Sequence, residues 1–350
     1  MSYVPIGELK SLDCVKRYPG NPVVKPEDVP FDCSLAFNAG VCKYQGKYIM
    51  LFRNDWFELE KREDFHAGKK KTNIGIAFSD DGINWNIQDK PLIDGSFIEG
   101  HKVGRVYDPR LTVIEDKVVM CFAVDTFHGV RGGVAVTEDF ENWDVKSVSA
   151  PENRNMVLFP EKIGGKYVRL ERPFPMYGRS REKHESTRFD IWLSTSPDLV
   201  FWGETDLLMG MEHVDFANDK LGPAAPPVKT DKGWLTTFHS VDIDESRGKF
   251  GWEKSWKKRY CGGIMLLDLE NPRKVIGLSQ IPLIAPEAPY EVDGGFRDQV
   301  IFPGGMILED SGEVKIYYGA GDAVECLATA DVNDLLAACK KVDLDIKHMW

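Results

Sequence analysis

The sequence predicts an all-β chain folded as a five-bladed β-propeller with a short C-terminal helix. Three observations carry that expectation. Short strand-like runs bounded by Gly, Asn and Asp recur along all 350 residues, whereas helical periodicity is convincing only near the C-terminus. A turn built from a small hydroxyl, an Asp and a returning Trp occurs three times, as Ser79-Asp-Asp-Gly-Ile-Asn-Trp85, Thr137-Glu-Asp-Phe-Glu-Asn-Trp143 and Ser196-Pro-Asp-Leu-Val-Phe-Trp202. Its tryptophans stand 58 and 59 residues apart, and a steady spacing of this size marks a repeated supersecondary unit. Finally, no Pro/Ser-rich linker divides the chain, which favours one ring over a pair of β-sandwiches.

Each repeat reads as a hairpin, a further strand and the turn. The hairpins fall at 41–52, 111–122, 161–170, 228–238 and 306–318, each with Gly or Asp near its tip. The strands that follow lie at 73–78, 132–136, 190–194, 262–267 and 324–328, suited to an innermost or middle place in a blade. The three clear turns span 79–85, 137–143 and 196–202, and degenerate copies lie at 267–272 and 329–334. One closed ring therefore accounts for residues 1–350 as a single catalytic domain.

Composition narrows the function. With 43% hydrophobic and 11% aromatic residues the chain can bury a large core. A formal net charge of −11 argues against nucleic-acid or anionic-membrane partners. There is no apolar run of membrane-spanning length, and Met1-Ser-Tyr-Val-Pro-Ile-Gly-Glu lacks the features of a signal peptide, so a cytoplasmic location is expected. The seven cysteines, at 14, 33, 42, 121, 261, 326 and 339, are odd in number and scattered, as expected of free and mostly buried thiols. His101, His128 and His184 form no His-x-x-x-His pair, so no metal site is expected.

Polar residues cluster where blades meet the central channel. Tyr107-Asp-Pro-Arg110 precedes an alternating apolar run, and Pro109 neither donates to a ladder nor lets Asp108 be helical. Asp108 is accordingly expected at a bend outside any strand, where it either caps a turn or, once the rest of the chain is weighed, serves as the proton donor of a carbohydrate enzyme. Blades one, two and five also offer Asn38, Arg53, Asp55 and Asp322, a set suited to hydroxyl groups. Blades three and four offer Arg154, Arg172, Lys220 and His239, cationic or able to become so, although His239 taken alone reads as a satisfied core histidine. Such a cluster in an acidic protein calls for an anion, and inorganic phosphate suits it. Arg154 and Arg172 have an alternative use as ion-pair partners of Glu152 and Glu171, and Lys69-Lys-Lys71 reads most simply as a solvated loop.

At these residues the sequence resembles glycoside hydrolase family 130, the β-mannoside phosphorylases and related β-mannosidases. The motifs are Phe37-Asn-Ala-Gly40, Tyr107-Asp-Pro-Arg110, Arg154-Asn-Met-Val-Leu-Phe-Pro160, Arg169-Leu-Glu-Arg-Pro173, Lys220-Leu-Gly-Pro-Ala-Ala-Pro-Pro227 and Tyr317-Tyr-Gly-Ala-Gly-Asp322. The resemblance implies a five-bladed propeller and reversible, inverting phosphorolysis of a β-mannoside to α-mannose 1-phosphate. Phosphate is then a substrate, no cofactor is implied, and the family's tendency to associate makes a homo-oligomer an expectation. By position, Asp108 matches the family's proton donor, which acts through the mannose 3-hydroxyl. Asn38, Arg53, Asp55, Tyr107, Asn155 and Asp322 match the mannosyl site, and Arg154, Arg172, Lys220, His239 and Tyr260 the phosphate site. Arg131 is assigned to the acceptor side or to a phosphate contact, and the polar segments 55–71, 176–188 and 241–258 to the acceptor side. Many members have Asn-Ser where this chain has Asn38-Ala39, and Ala-Ala-Asp where it has Ala320-Gly-Asp322.

Overall fold

The computed structural model describes residues 4–57, 70–98, 103–174, 189–247, 256–342 and 344. After a short strand β1 (Lys16–Arg17), the chain builds five antiparallel sheets in succession. Blade one is β2 (Leu35–Tyr44), β3 (Lys47–Trp56), β4 (Lys71–Ser79) and β5 (Asn86–Ile87). Blade two is β6 (Val103–Ile114), β7 (Lys117–Thr126), β8 (Gly129–Thr137) and β9 (Asp144–Val148). Blade three is β10 (Asn153–Leu158), β11 (Tyr167–Pro173), β12 (Ile191–Ser196) and β13 (Gly203–Met209). Blade four contains β14 (Lys220–Pro223), β15 (Val228–Lys229), β16 (Trp234–Ile243), β17 (Lys258–Leu267) and β18 (Val275–Leu278). A short helix α1 (Pro289–Val292) leads into blade five, β19 (Ile301–Leu308), β20 (Glu313–Ala320) and β21 (Val324–Asp331). The expected C-terminal helix is α2 (Val332–Ala338), after which β22 (Lys340–Lys341) adds to β18.

The repeated turn explains itself locally. Asp81 accepts hydrogen bonds from the N–H groups of Ile83 and Asn84, while the Ser79 hydroxyl accepts from Gly82. Thr137 with Asp139, and Ser196 with Asp198, repeat the pattern. Short polar side chains that capture nearby N–H groups stop a strand and turn the chain. Asp268 does the same for Glu270 and Asn271, and in the fifth copy Asp331 accepts from Asn333 and becomes the N-cap of α2.

Two features of the fold correct the expectations. The motifs Phe37-Asn-Ala-Gly40, Tyr107-Asp-Pro-Arg110 and Phe302-Pro-Gly-Gly305 do not precede hairpins; they lie inside β2, β6 and β19, the innermost strands. Arg154 and Lys220 likewise belong to the innermost strands β10 and β14. The innermost strand is thus the first of each hairpin, and the strand before each turn is a middle one. The closure of the ring is also unannounced: β1 pairs with β21, so the N-terminal strand completes the last blade.

The buried apolar residues collect between neighbouring blades. Leu51 and Ile74 meet Val106 and Met120 between blades one and two, and Leu170 and Leu193 meet Trp234 and Phe238 between blades three and four. Both faces of most strands are covered, which is why Tyr48-Ile-Met-Leu-Phe52 is apolar without alternation.

One buried carboxylate locks the closing strand. Glu291, 0% exposed, accepts from Arg17 Nε (2.8 Å) and Nη2 (2.9 Å), from the Tyr318 hydroxyl (2.9 Å) and from the N–H groups of Glu287 and Ala288. Glu291→Ala leaves the buried Tyr318 hydroxyl and the N–H groups of Glu287 and Ala288 without their acceptor and the half-buried Arg17 with only Glu287 and the Ala285 carbonyl as strong partners, a loss of about 3–5 kcal/mol. In thermal unfolding the variant is expected to melt roughly 4–7 °C lower; a midpoint within about 2 °C of wild type would show that β1 does not depend on this network.

Candidate active site

The site is built on a defect shared by four of the five innermost strands, all but β14. Their register with the second strand slips between Phe37 and Gly40, between Tyr107 and Arg110, between Arg154 and Val157, and between Pro303 and Gly305. In the first three blades the residue pushed out is Asn38, Asp108 or Asn155, with φ of 53°, 52° and 57°. Left-handed backbone is costly for most side chains, and Asn and Asp tolerate it best outside glycine. A β-bulge re-aims a side chain, and these three line one cavity at the channel mouth. Asp108 therefore sits within a strand, at a bulge, and not outside one. Pro109 is accommodated because β6 is paired on one side only, with its free edge towards the channel.

The cavity, about 230 Å3, is lined by Asn38, Arg53, Asp55, Tyr107, Asp108, Arg154, Asn155, Arg172, His239, Tyr260 and Asp322 among the expected residues. That is room for several water molecules, and so for a small polar solute. Lys220 stands just behind, its Nζ 5.6 Å from the Tyr260 ring centre. Arg131 does not line it: its guanidinium donates to the carbonyls of Val148 and Ser149 and ties β8 to β9. The acceptor-side segments fall largely on 58–69, 175–188 and 248–255, outside the described residues.

On the sugar side, Arg53 grips Asp55 through two hydrogen bonds (3.1 and 2.7 Å) and reaches Asp108 Oδ1 with Nη1 (3.2 Å). Asn38 Nδ2 donates to the same oxygen (3.2 Å). Burial opposes the charge of Asp108, but Arg53, Arg110 and Arg154 outweigh it and hold its carboxyl below the usual range. Asp322 goes the other way: burial pushes it up despite Arg297 at 3.1 Å. Lys70 is a residue the sequence reading missed. Its Nζ lies 2.8 Å from Asp55 Oδ2 and its side chain is 7% exposed, so it is part of the site and not of a solvated loop. Only the register of the folded blade shows this: Asp55 faces Thr72, which places Lys70 just before the start of β4. Arg105 and Arg297 were missed too, leaving six basic side chains and three carboxylates around the cavity among the described residues.

On the opposite wall, Arg154 and Arg172 face each other across β10 and β11. Neither takes the carboxylate partner open to it in sequence: Glu171 pairs with Arg169 (2.7 Å), and Glu152 accepts from Val130 N–H. Arg154 donates to the Tyr107 hydroxyl (3.1 Å), and Arg172 to His239 Nε2 (2.9 Å). A guanidinium only donates, so Nε2 accepts and Nδ1 carries the proton, which it gives to the Pro223 carbonyl (3.2 Å). His239 is therefore neutral, contrary to its grouping with the cations; burial and then Arg172 press its pKa well below the ordinary value. Burial first, and Arg154 next, lower Arg172 to about 9, still charged at neutral pH. Tyr260, stacked at 6.3 Å on His239, is pulled down by Lys220 and Lys258 although burial opposes this. The Nε groups of Arg154 and Arg172 and the amide oxygens of Asn38 and Asn155 are buried without a protein partner. Unpartnered buried donors on two adjacent cations form a place for an oxyanion.

Known proteins share this architecture. A family model described as β-1,4-mannooligosaccharide phosphorylase matches residues 12–341. A β-1,2-mannobiose phosphorylase from Listeria innocua is 29% identical, over 92% of this chain and 97% of its own. A β-1,4-mannooligosaccharide phosphorylase from Ruminococcus albus is 31% identical, over 93% and 92%. The solved structure of a Listeria innocua β-1,2-mannobiose phosphorylase with β-1,2-mannobiose superposes with a TM-score of 0.77 at 27% identity, covering 93% of this chain and 99% of that one. Five blades, four of them bulged on the innermost strand, a carboxylate among cations at their mouth and a match running almost from end to end place this chain in glycoside hydrolase family 130.

Proposed function

We propose that the protein is an inverting glycoside phosphorylase, cleaving a β-mannoside with inorganic phosphate to α-mannose 1-phosphate and running equally in reverse. The observation that carries this reading is one cavity that holds Asp108 together with two buried guanidiniums, Arg154 and Arg172, whose Nε groups lack a protein partner. Phosphate is seated by Arg154 and Arg172, with Tyr260 beside them, Lys220 behind and neutral His239 holding Arg172 in place. Asn38, Arg53, Asp55, Tyr107, Asn155 and Asp322 hold the mannosyl residue between phosphate and acid.

A phosphate oxygen then attacks the anomeric carbon opposite the glycosidic bond. That bond breaks with its electron pair on the leaving oxygen, which takes the Asp108 proton by way of the mannose 3-hydroxyl. Phosphate is already an anion, so no second carboxylate need activate it as water would require. Positioning and charge neutralisation carry the rate. Without ligands Arg53, Arg110 and Arg154 hold Asp108 ionised; bound phosphate offsets part of that pull, that of Arg154, and so favours the proton Asp108 must carry.

The relatives named above act on both β-1,2 and β-1,4 linkages, so acceptor and linkage are to be read by experiment. The test is synthesis from α-mannose 1-phosphate with a panel of mannose, glucose, N-acetylglucosamine and manno-oligosaccharides, scoring phosphate release and product linkage. Cleavage of the resulting β-mannoside is expected to need phosphate. Mannose release at equal speed in phosphate-free buffer would instead identify a hydrolase.

A further inference from the structure

We infer that Glu325, which does not line the cavity, is a positioning residue for Asp108, holding the Asn38-Ala39 bulge from beneath through an accepted hydrogen bond. This deepens the proposed function and rests on it. Glu325 lies in β21 and is 0% exposed. Its Oε2 accepts from the Ala39 N–H at 3.1 Å, while Oε1 is buried without a partner. No strand pairing would otherwise satisfy that N–H, because Asn38 and Ala39 are the two residues the β2–β3 register skips. The other polar group of the same peptide unit, the Asn38 carbonyl, accepts from Arg110 Nη1 at 2.9 Å. Arg110 also grips Pro109 O and Ala224 O, so it links the innermost strand of blade one to those of blades two and four.

The neighbouring backbone is shaped to this seat. Glu325 faces Gly319 across β20 and β21, and a Cβ on Gly319 would stand 2.4 Å from Asn38 Oδ1. A Cβ on Gly304 would stand 2.0 Å from Ala39 O. Blade five thus closes on the bulge from two sides, and Glu325 supplies its hydrogen-bond acceptor. The left-handed Asn38 held in this way donates to Asp108 Oδ1 at 3.2 Å. A carboxyl at this place is poorly hydrated, and burial pushes it up to about 8. The groups facing it are Arg110 and Asp108 from β6, the N–H groups of β2, Gly319 from β20 and Val24 from the N-terminal segment, with Cys326 beside it on its own strand. Near neutral pH it is mostly protonated and adds little charge beside Asp108; above that it ionises next to a second carboxylate.

The test compares Glu325→Leu and Glu325→Gln with wild type in β-mannoside cleavage from pH 5.5 to 9, with and without phosphate. Glu325→Leu is expected to lose kcat about 100-fold, the scale of a 1 Å misplacement, with KM for phosphate almost unchanged. Glu325→Gln keeps an acceptor for the Ala39 N–H and is expected to restore most of kcat at pH 7, with the alkaline fall in kcat moved to higher pH. Normal kcat in Glu325→Leu, or a kcat in Glu325→Gln no better than in Glu325→Leu at pH 7, overturns the inference. Should Glu325→Leu fail to fold, Glu325→Asn, too short by one methylene to reach the Ala39 N–H, takes its place: the same loss of kcat is expected, and a normal kcat overturns the inference. A wild type that cleaves only without regard to phosphate would fail the phosphorylase reading, and the comparison of variants would still decide the role of Glu325.

Discussion

Asp108→Asn is expected to lower kcat by about 10³-fold, inside the range of a deleted general acid, while the sugar still binds. The amide keeps an oxygen for Arg53 Nη1 and Asn38 Nδ2, both now at 3.2 Å from the carboxylate, so the bulge and the mannosyl contacts persist. Removing a negative charge beside Arg154 also leaves more of that cation's field for phosphate, so KM for phosphate is expected to fall or stay level. A mannoside with an activated leaving group needs less proton donation and should recover much of the lost rate. These outcomes separate Asp108 from Asp322, whose raised pKa is on its own the better credential for an acid. If Asp322→Asn loses the activity that an activated leaving group restores while Asp108→Asn turns over normally, the two roles are exchanged.

Arg172→Met is expected to raise KM for phosphate by on the order of 100-fold or more, since truncating a buried charge partner costs about 2–5 kcal/mol. The side chain is 3% exposed and packs its guanidinium 5.1 Å from the Phe189 ring centre, so methionine fills much of the space while removing the charge. The change also frees His239 Nε2 from its donor among the described residues and removes the cation that bears most on it. In wild type His239 stays neutral through mildly acidic pH: its depressed pKa adds stability that is complete above the unfolded value and is lost progressively as pH falls from there to the lower folded one. In the variant its ring signals in a nuclear magnetic resonance titration should move towards the ordinary value near 6.5. An unchanged phosphate KM would remove Arg172 from the anion site, and an unchanged His239 titration would show that burial alone sets it.

Much of the molecule was legible because its signals are local. The Ser79/Asp81, Thr137/Asp139 and Ser196/Asp198 turns close hydrogen bonds within three residues, so sequence spacing alone reports them. Asn38, Asp108 and Asn155 drew notice as polar residues in apolar settings, and each proves to occupy a left-handed bulge that few other residue types accept. What failed depended on register or burial. Asp108 was expected outside a strand because Pro109 seemed to exclude one, but a free inner edge asks no donor of it. Lys70 was hidden in a basic run, and Arg131 looked like a site residue until its bonds to Val148 and Ser149 were visible. His239 could be read as a cation only while the direction of its hydrogen bonds was unknown.

The amino-acid order sufficed for the number of blades, for the turns that space them and for the chemical types brought to the channel, since each rests on contacts a few residues long. Which of those groups meet, and in what protonation state, was settled only by ring closure. Asn38 and Asp108 are seventy residues apart yet share a hydrogen bond, and Glu325 comes beneath Ala39 because β21 closes the ring beside β2. Charge follows the same rule: Asp108 is drawn down and Asp322 driven up by neighbours that only the packed interior supplies, where little water remains to screen them.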